Sequence, residues 1–228
     1  TLAQAGMKRR LFLFDCDGTI LDSVGIIHDS MARTFAEFGY PRPLLADTRS
    51  IIGLTLNLAI ARLRDVEIDA EVEQMTARYK EIFHEIYNAP GFTQSLFPGL
   101  GSLVENLANQ PHATLGVVTG KSRRGMDMFF ATHGYKSSFG PIRTADDCPS
   151  KPHPAMVTEC CAEVGIGSGQ TVVIGDSVFD MQMAKSAGAR AIGVAWGYNS
   201  VPDLRAAGAD AIAEDANHLM DLLENVDA

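Results

Sequence analysis

Four apolar residues, Leu11-Phe12-Leu13-Phe14, run without a break into Asp15-Cys16-Asp17-Gly18-Thr19. An apolar run of this length, with no polar alternation, reads as a strand buried on both faces, as in a parallel sheet covered by helices. Such sheets carry their chemistry just beyond the carboxyl ends of the strands. Asp15 and Asp17 are therefore expected in the loop at a strand tip, with Gly18 letting the chain turn sharply. Two carboxylates that close repel each other unless a cation or a shared proton lies between them. The pair points either to a divalent metal or to one carboxyl group with a raised pKa. An exposed Asp-x-Asp-Gly turn uses the same letters. What the other strand tips carry decides between the two.

After Ser23 the pattern turns helical. Val24 to Phe38 reads as a helix with Ser23 or Asp22 as N-cap and Gly39 as stop. Pro41 and Pro43 mark a linker. Residues 48–63 read as two short helices broken at Gly53-Leu54-Thr55. Asp69 caps a helix reaching about Asn88, whose apolar positions Val72, Met75, Tyr79, Ile82, Phe83 and Ile86 recur at helical spacing. No strand stands out in this block. Residues 22–91 are thus expected as an all-α insert, hung over the strand tips as a lid that excludes water.

From Leu96 strands and helices alternate. Pro98 and Gly99 open a helix, and strands are expected at 113–119, 142–145, 171–175, 189–195 and 211–213. Helices fall at 123–132, 154–164 and 179–187, with a last one near 217–223. This alternation predicts an α/β fold: a doubly wound, parallel-sheet, Rossmann-like core formed by residues 7–21 and 92–228. Residues 1–6 precede Met7 and are not needed for it.

The strand ends carry matching chemistry. The first ends in Asp15 and Asp17, a second in Thr119-Gly120, a third in Asp176, with Asp180 one helical turn later on the same side. Lys151 stands before a helix between the last two. If these edges converge, one pocket holds four carboxylates, a hydroxyl, a backbone amide and an ammonium. Asp15, Asp17 and Asp176 suit Mg²⁺, a hard cation that prefers oxygen ligands. Thr119, Gly120 and Lys151 suit the oxygens of a phosphate. A carboxylate can attack phosphorus, and a second carboxyl group can protonate the leaving oxygen and then activate water.

In these motifs the sequence resembles the haloacid dehalogenase superfamily, from Leu11 to about Leu223. Phe14-Asp15-Cys16-Asp17-Gly18-Thr19 resembles the first family motif, which implies Asp15 as nucleophile and Asp17 as acid/base. Thr119 resembles the second motif, Lys151-Pro152 the third, and Gly175-Asp176-Ser177-Val178-Phe179-Asp180 the fourth, with Asp176 as metal ligand and Asp180 as supporting acid. The helical insert resembles the cap of the subgroup containing phosphoglycolate phosphatase, β-phosphoglucomutase and pyrophosphatase-type enzymes. The resemblance implies a Mg²⁺-dependent phosphatase of a small phosphorylated metabolite, phosphoglycolate-like, working through an aspartyl-phosphate. Asp17 argues against the dehalogenase and phosphonatase branches, which lack it. A phosphomutase, a pyrophosphatase and a silent binding module on the same fold are the alternatives.

Other features weigh less. Lys121, Arg123 and Arg124 read as a solvated helix start. His28 and the Gly53-Leu54-Thr55 break are candidates for substrate contact from the cap. Trp196-Gly197-Tyr198 reads as a pocket edge without chemistry of its own. Twenty-eight acidic against 19 basic residues, net charge −9, oppose a nucleic-acid or anionic-membrane surface. No apolar run is long enough to span a bilayer. Lys8-Arg9-Arg10 leads into a short strand rather than a long apolar region, so no secretory leader is expected. The four cysteines lack metal spacing and fit a reducing cytoplasm, with Cys16 a small buried hydrophobe. Monomer and homodimer are both compatible with the sequence.

Overall fold

A computed structural model describes residues 8–225; residue 7 and residues 226–228 of the expected core lie outside the described residues. The chain begins β1 (Arg10–Phe14), β2 (Leu21–Asp22), α1 (Val24–Glu37), α2 (Leu45–Ile51), α3 (Leu56–Arg64), α4 (Ala70–Tyr87) and β3 (Ser95–Leu96). It continues α5 (Leu100–Ala108), β4 (Ala113–Val118), α6 (Arg123–His133), β5 (Ile142–Arg143), α7 (Ala155–Val164) and β6 (Thr171–Gly175). It closes with α8 (Val178–Ser186), β7 (Arg190–Val194), α9 (Val201–Ala206), β8 (Ala211–Ala213) and α10 (Ala216–Glu224).

Six strands form one sheet in the order β5-β4-β1-β6-β7-β8, every pairing parallel. β1 is buried at all five positions and lies between β4 and β6. Side chains alternate across the pleat. Phe12 and Phe14 join Leu103, Phe129 and Leu219 on one face, whereas Leu11 and Leu13 join Met156, Cys160 and Met181 on the other. Helices therefore cover both faces, as the unbroken apolar run requires. A third apolar cluster joins Met31, Phe35, Ile60, Met75 and Tyr79 of the helical insert, and Phe179 of α8 reaches into it from the core.

Three elements depart from the sequence reading: β2, β3 and α9. Leu21 pairs with Leu96 and Asp22 with Ser95, an antiparallel ribbon where the insert leaves and rejoins the core. Strands of two residues carry no periodicity to read. The short helix α9 was not expected either; six residues that include Pro202 show no apolar repeat, although the Ser200 side chain caps it by accepting from the Asp203 N–H. Asp69 does cap α4, its side chain accepting from Val72 N–H. Among the described residues no helix is long and apolar enough to cross a membrane, and all four cysteines are buried and free.

Candidate active site

Asp15 follows directly on β1 and keeps its register, its N–H donating to Ile174 O at 2.9 Å. Its Oδ1 accepts from the Cys16 N–H at 2.7 Å and lies 3.0 Å from Lys151 Nζ. Its Oδ2 is buried and has no hydrogen-bond partner. The Lys151 side chain is fully buried, and its Nζ also reaches Asp180 Oδ1 at 2.6 Å. The other Asp180 oxygen accepts from Ser177 Oγ at 2.6 Å and Ser177 N at 3.1 Å, a capping box that fixes the start of α8.

Asp176 stands at the tip of β6. Its Oδ1 accepts from Thr19 Oγ1 at 3.1 Å and its Oδ2 from Tyr198 N–H at 2.9 Å. Glycine is required on both sides of it. A Cβ on Gly18 would lie 2.3 Å from Asp176 Oδ2, and one on Gly197 would lie 2.1 Å from Asp176 Cβ.

Asp15, Asp176 and Asp180 each bring a carboxylate oxygen within 4.8 Å of the others. Burial pushes Asp15 up to about 7, with Asp180 and Asp17 adding to the effect and Lys151 opposing it. Burial also drives Asp176 well above the carboxylate range, reinforced by Asp180 and Asp15. Burial works to lower Lys151, but Asp15 and Asp180 outweigh it and leave it raised. Three buried carboxyl groups thus face one buried ammonium, and one oxygen among them is unpartnered. A hard divalent cation fits this donor set. Asp17, expected in the cation set, brings no carboxylate oxygen into this cluster. Its carboxylate turns away, where Oδ1 accepts from Ser23 Oγ at 2.6 Å and meets Lys121 Nζ at 2.9 Å. Asp180 takes the third place in the cluster.

Thr119 is buried at the tip of β4. Its Oγ1 accepts from the Lys121 N–H at 3.2 Å, which leaves its O–H to donate elsewhere. A Cβ on the next residue, Gly120, would lie 2.5 Å from Leu54 O. The Gly53-Leu54-Thr55 break therefore rests directly on this strand tip. Thr55 N–H also donates to Ser150 Oγ at 3.0 Å. Between the insert and the sheet edge lies a cavity of about 430 Å³, lined by Asp15, Asp17, Thr119 and Gly120 below and by Leu54 and Tyr79 above. Lys151, Asp176 and Asp180 are not part of its wall.

Comparisons with known proteins agree with this fold. The sequence profile of the haloacid dehalogenase-like hydrolases matches residues 12–194. The chain belongs to that family. A protein of Dickeya dadantii named "Probable phosphatase IndB" is 31% identical, over 90% of this chain and 89% of that one. A phosphoglycolate phosphatase of Vibrio parahaemolyticus is 26% identical over 94% of this chain and 96% of its own. In structure, a hydrolase from Pseudomonas syringae superposes with a TM-score of 0.84 over 96% of this chain and 99% of that one, at 22% identity, which speaks to the fold alone.

Within this family frame, three sequence readings change. Lys121 is not a solvated helix start: its side chain is 10% exposed and pairs with Asp17. The reading holds for Arg123, which pairs with Asp147 on the surface, and Arg124 is exposed at the cavity wall. Lys121 lies two residues past Thr119 in the bend before α6, and that spacing was the signal available. His28 does not reach the cavity; its Nδ1 sits 2.9 Å from Thr48 Oγ1, inside the helical insert. Tyr198 is more than a pocket edge. Its hydroxyl accepts from the N–H groups of Ser23 at 2.9 Å and Val24 at 3.0 Å, so it caps α1 from outside. Ser23 holds the N-cap position without capping, because its hydroxyl is given to Asp17. Cys16 is fully buried, as expected, and burial raises its thiol well above the ordinary range.

Proposed function

We propose that the protein is a Mg²⁺-dependent phosphatase that hydrolyses a small phosphorylated metabolite. The observation that carries this reading is the difference between two carboxylates of one strand tip. Asp15 is buried against Lys151 with its Oδ2 unpartnered, while Asp17 is held apart by Lys121 and Ser23. Two carboxyl groups in unlike environments are suited to two different roles.

Asp15 attacks the phosphorus. The bond from phosphorus to the ester oxygen breaks as the bond to Asp15 forms, and Asp17 donates a proton to the departing alcohol. Asp17 then takes a proton from water. The resulting hydroxide attacks the phosphorus, the aspartyl bond breaks, and Asp15 is regenerated as phosphate leaves. Thr119 O–H, the Gly120 N–H and Lys151 hold phosphoryl oxygens and the charge on them. Asp15, Asp176 and Asp180 are the residues that would hold Mg²⁺, which when bound neutralises charge on the phosphoryl group. The helical insert of residues 22–91 acts as a cap that excludes water, with Gly53-Leu54-Thr55 as its contact with the core. Four free, buried cysteines suit a reducing compartment such as the cytoplasm.

The test is phosphate release from a panel of phosphomonoesters with and without Mg²⁺, beside Asp15→Asn. The first ester to assay is phosphoglycolate, named for the Vibrio relative. Mg²⁺-dependent release that disappears in the variant, with the circular dichroism spectrum unchanged, is the expected result. Full release by the variant would sink the mechanism.

A further inference from the structure

The cavity over Asp15 is larger than a two-carbon acid needs. Its volume of about 430 Å³ lies within the roughly 300–1,000 Å³ of sites that take drug-sized ligands. Its upper wall mixes apolar and aromatic residues, among them Met31, Leu54, Tyr79 and Phe83, with the polar Asn57, Glu73, Lys80 and His84. The Tyr79 and Phe83 rings lie 6.1 Å apart with 28° between their planes. Of the cations on the wall, Lys121 is committed to Asp17, and Lys80 and Arg124 are exposed. The carboxylate of a short leaving group therefore meets no uncommitted buried cation there.

Besides Asp15 Oδ2 below, one buried polar atom on the insert side of this wall has no partner. Thr76, on α4, is 7% exposed, and its Oγ1 makes no hydrogen bond. A threonine inside a helix ordinarily donates to the carbonyl one turn back. Three others in this chain do so: Thr34 to Ser30 O at 2.7 Å, Thr132 to Met128 O at 3.0 Å and Thr158 to Pro154 O at 3.3 Å. Thr76 forgoes that bond, and leaving a buried hydroxyl unpaired is costly. Thr76 stands one helical turn before Lys80 and three residues before Tyr79, on the side of the helix that lines the cavity.

We infer that the substrate is a phosphomonoester whose alcohol carries a planar ring, seated against Tyr79 and Phe83, with a polar group of that ring bonded to Thr76 Oγ1. This rests on the phosphatase reading for the chemistry at Asp15 and adds the identity of the leaving group. Thr76 is then a specificity residue, and the cap selects for a ring rather than for a short acid.

Binding to the Asp15→Asn protein with Mg²⁺, measured by titration calorimetry, separates this inference from the reaction itself. The probes are uridine 5′-monophosphate, 1-naphthyl phosphate and phosphoglycolate. The uridine ester carries a polar ring, the naphthyl ester an apolar ring, and phosphoglycolate none. The uridine ester is expected to bind at least about tenfold more tightly than phosphoglycolate. Adding Thr76→Val should weaken the uridine ester by roughly 3- to 10-fold, the share of one neutral hydrogen bond, and leave the naphthyl ester unchanged. Thr76→Ser, which keeps the hydroxyl, should retain the uridine affinity. Phosphoglycolate binding as tightly as the ring esters, or Thr76→Val weakening all three alike, would overturn the inference. Failure of the wild-type protein to release phosphate from any ester would count against the phosphatase reading alone, and the binding comparison would still judge the ring.

Discussion

Lys121 and Asp17 meet at 2.9 Å with little solvent between them. Burial works against the charge on Lys121, and Asp17 outweighs it, so the lysine stays ionised with its pKa raised. An ion pair so enclosed does more than decorate a surface: in the proposed mechanism it fixes the direction of the acid that meets the leaving oxygen. Lys121→Met is expected to lower kcat for an alkyl phosphate by roughly 10- to 100-fold, part of what a positioned acid contributes. p-Nitrophenyl phosphate, whose leaving group needs no proton, should lose far less, and Lys121→Arg should restore part of the alkyl activity. Equal losses on both esters would mean that the pair is only structural. At Asp15 the consequence is thermodynamic. Its pKa rises from 3.8 to about 7 on folding, so across that window the metal-free folded chain keeps a proton that the unfolded chain has lost. Stability contributed by Asp15 is therefore greatest at the acid end and falls as pH rises toward 7. In EDTA, the unfolding free energy of the wild type minus that of Asp15→Asn should decline from about pH 4 to about pH 7. A difference that grows over the same range would contradict the burial of this carboxylate.

At the scale of elements, the proposed chemistry depends on the loop between α2 and α3 lying on the tip of β4. Gly120 permits it, since any Cβ there would strike the backbone of Leu54 at 2.5 Å. A collision with backbone on both sides cannot be relieved by a rotamer. Gly120→Ala should therefore raise KM and lower kcat/KM by at least about tenfold while costing only about 1–3 kcal/mol of stability. Calorimetric melting beside steady-state kinetics checks both parts. The same scale shows why some elements were legible and others were not. β1 and β6 are apolar at every position, and α4 repeats Val72, Met75, Tyr79 and Ile82 inward. These patterns are written in the residues themselves. The ribbon of β2 and β3 depends on where a distant segment returns, and α9 is too short to repeat anything.

For the whole molecule, four separated segments meet, and placement at strand ends made Asp15, Thr119 and Asp176 readable from the sequence, whereas Lys151, in a turn before α7, was legible only by its motif. Asp17, Lys121, Ser23 and Tyr198 form contacts that only tertiary geometry reveals. Direction was the missing quantity: spacing tells which residues share an edge, not which way a carboxylate turns. A cation joining three carboxylates from β1, β6 and α8 should also tie these parts of the fold together. Mg²⁺ at about 100 times its dissociation constant should add about 2.7 kcal/mol to stability, read as an upward shift in Tm. Asp176→Asn should lose most of that shift. An unchanged Tm in the wild type at saturating Mg²⁺ would argue against a cation in this cluster.

Asp22 and Ser95 face each other as paired residues at the neck of the helical insert. The chain thus departs from the sheet and comes back at a single doorway. A two-residue reverse turn is enough to bridge such a pair, so the four helices can be swapped for another set without shifting any strand of the six-stranded sheet. Grafts across this doorway would trade one appetite for another on an untouched engine. Each graft would have to cover the apolar patch around Phe179, which the present helices bury, and replace the contacts that Leu54, Thr55 and Val24 make with the core.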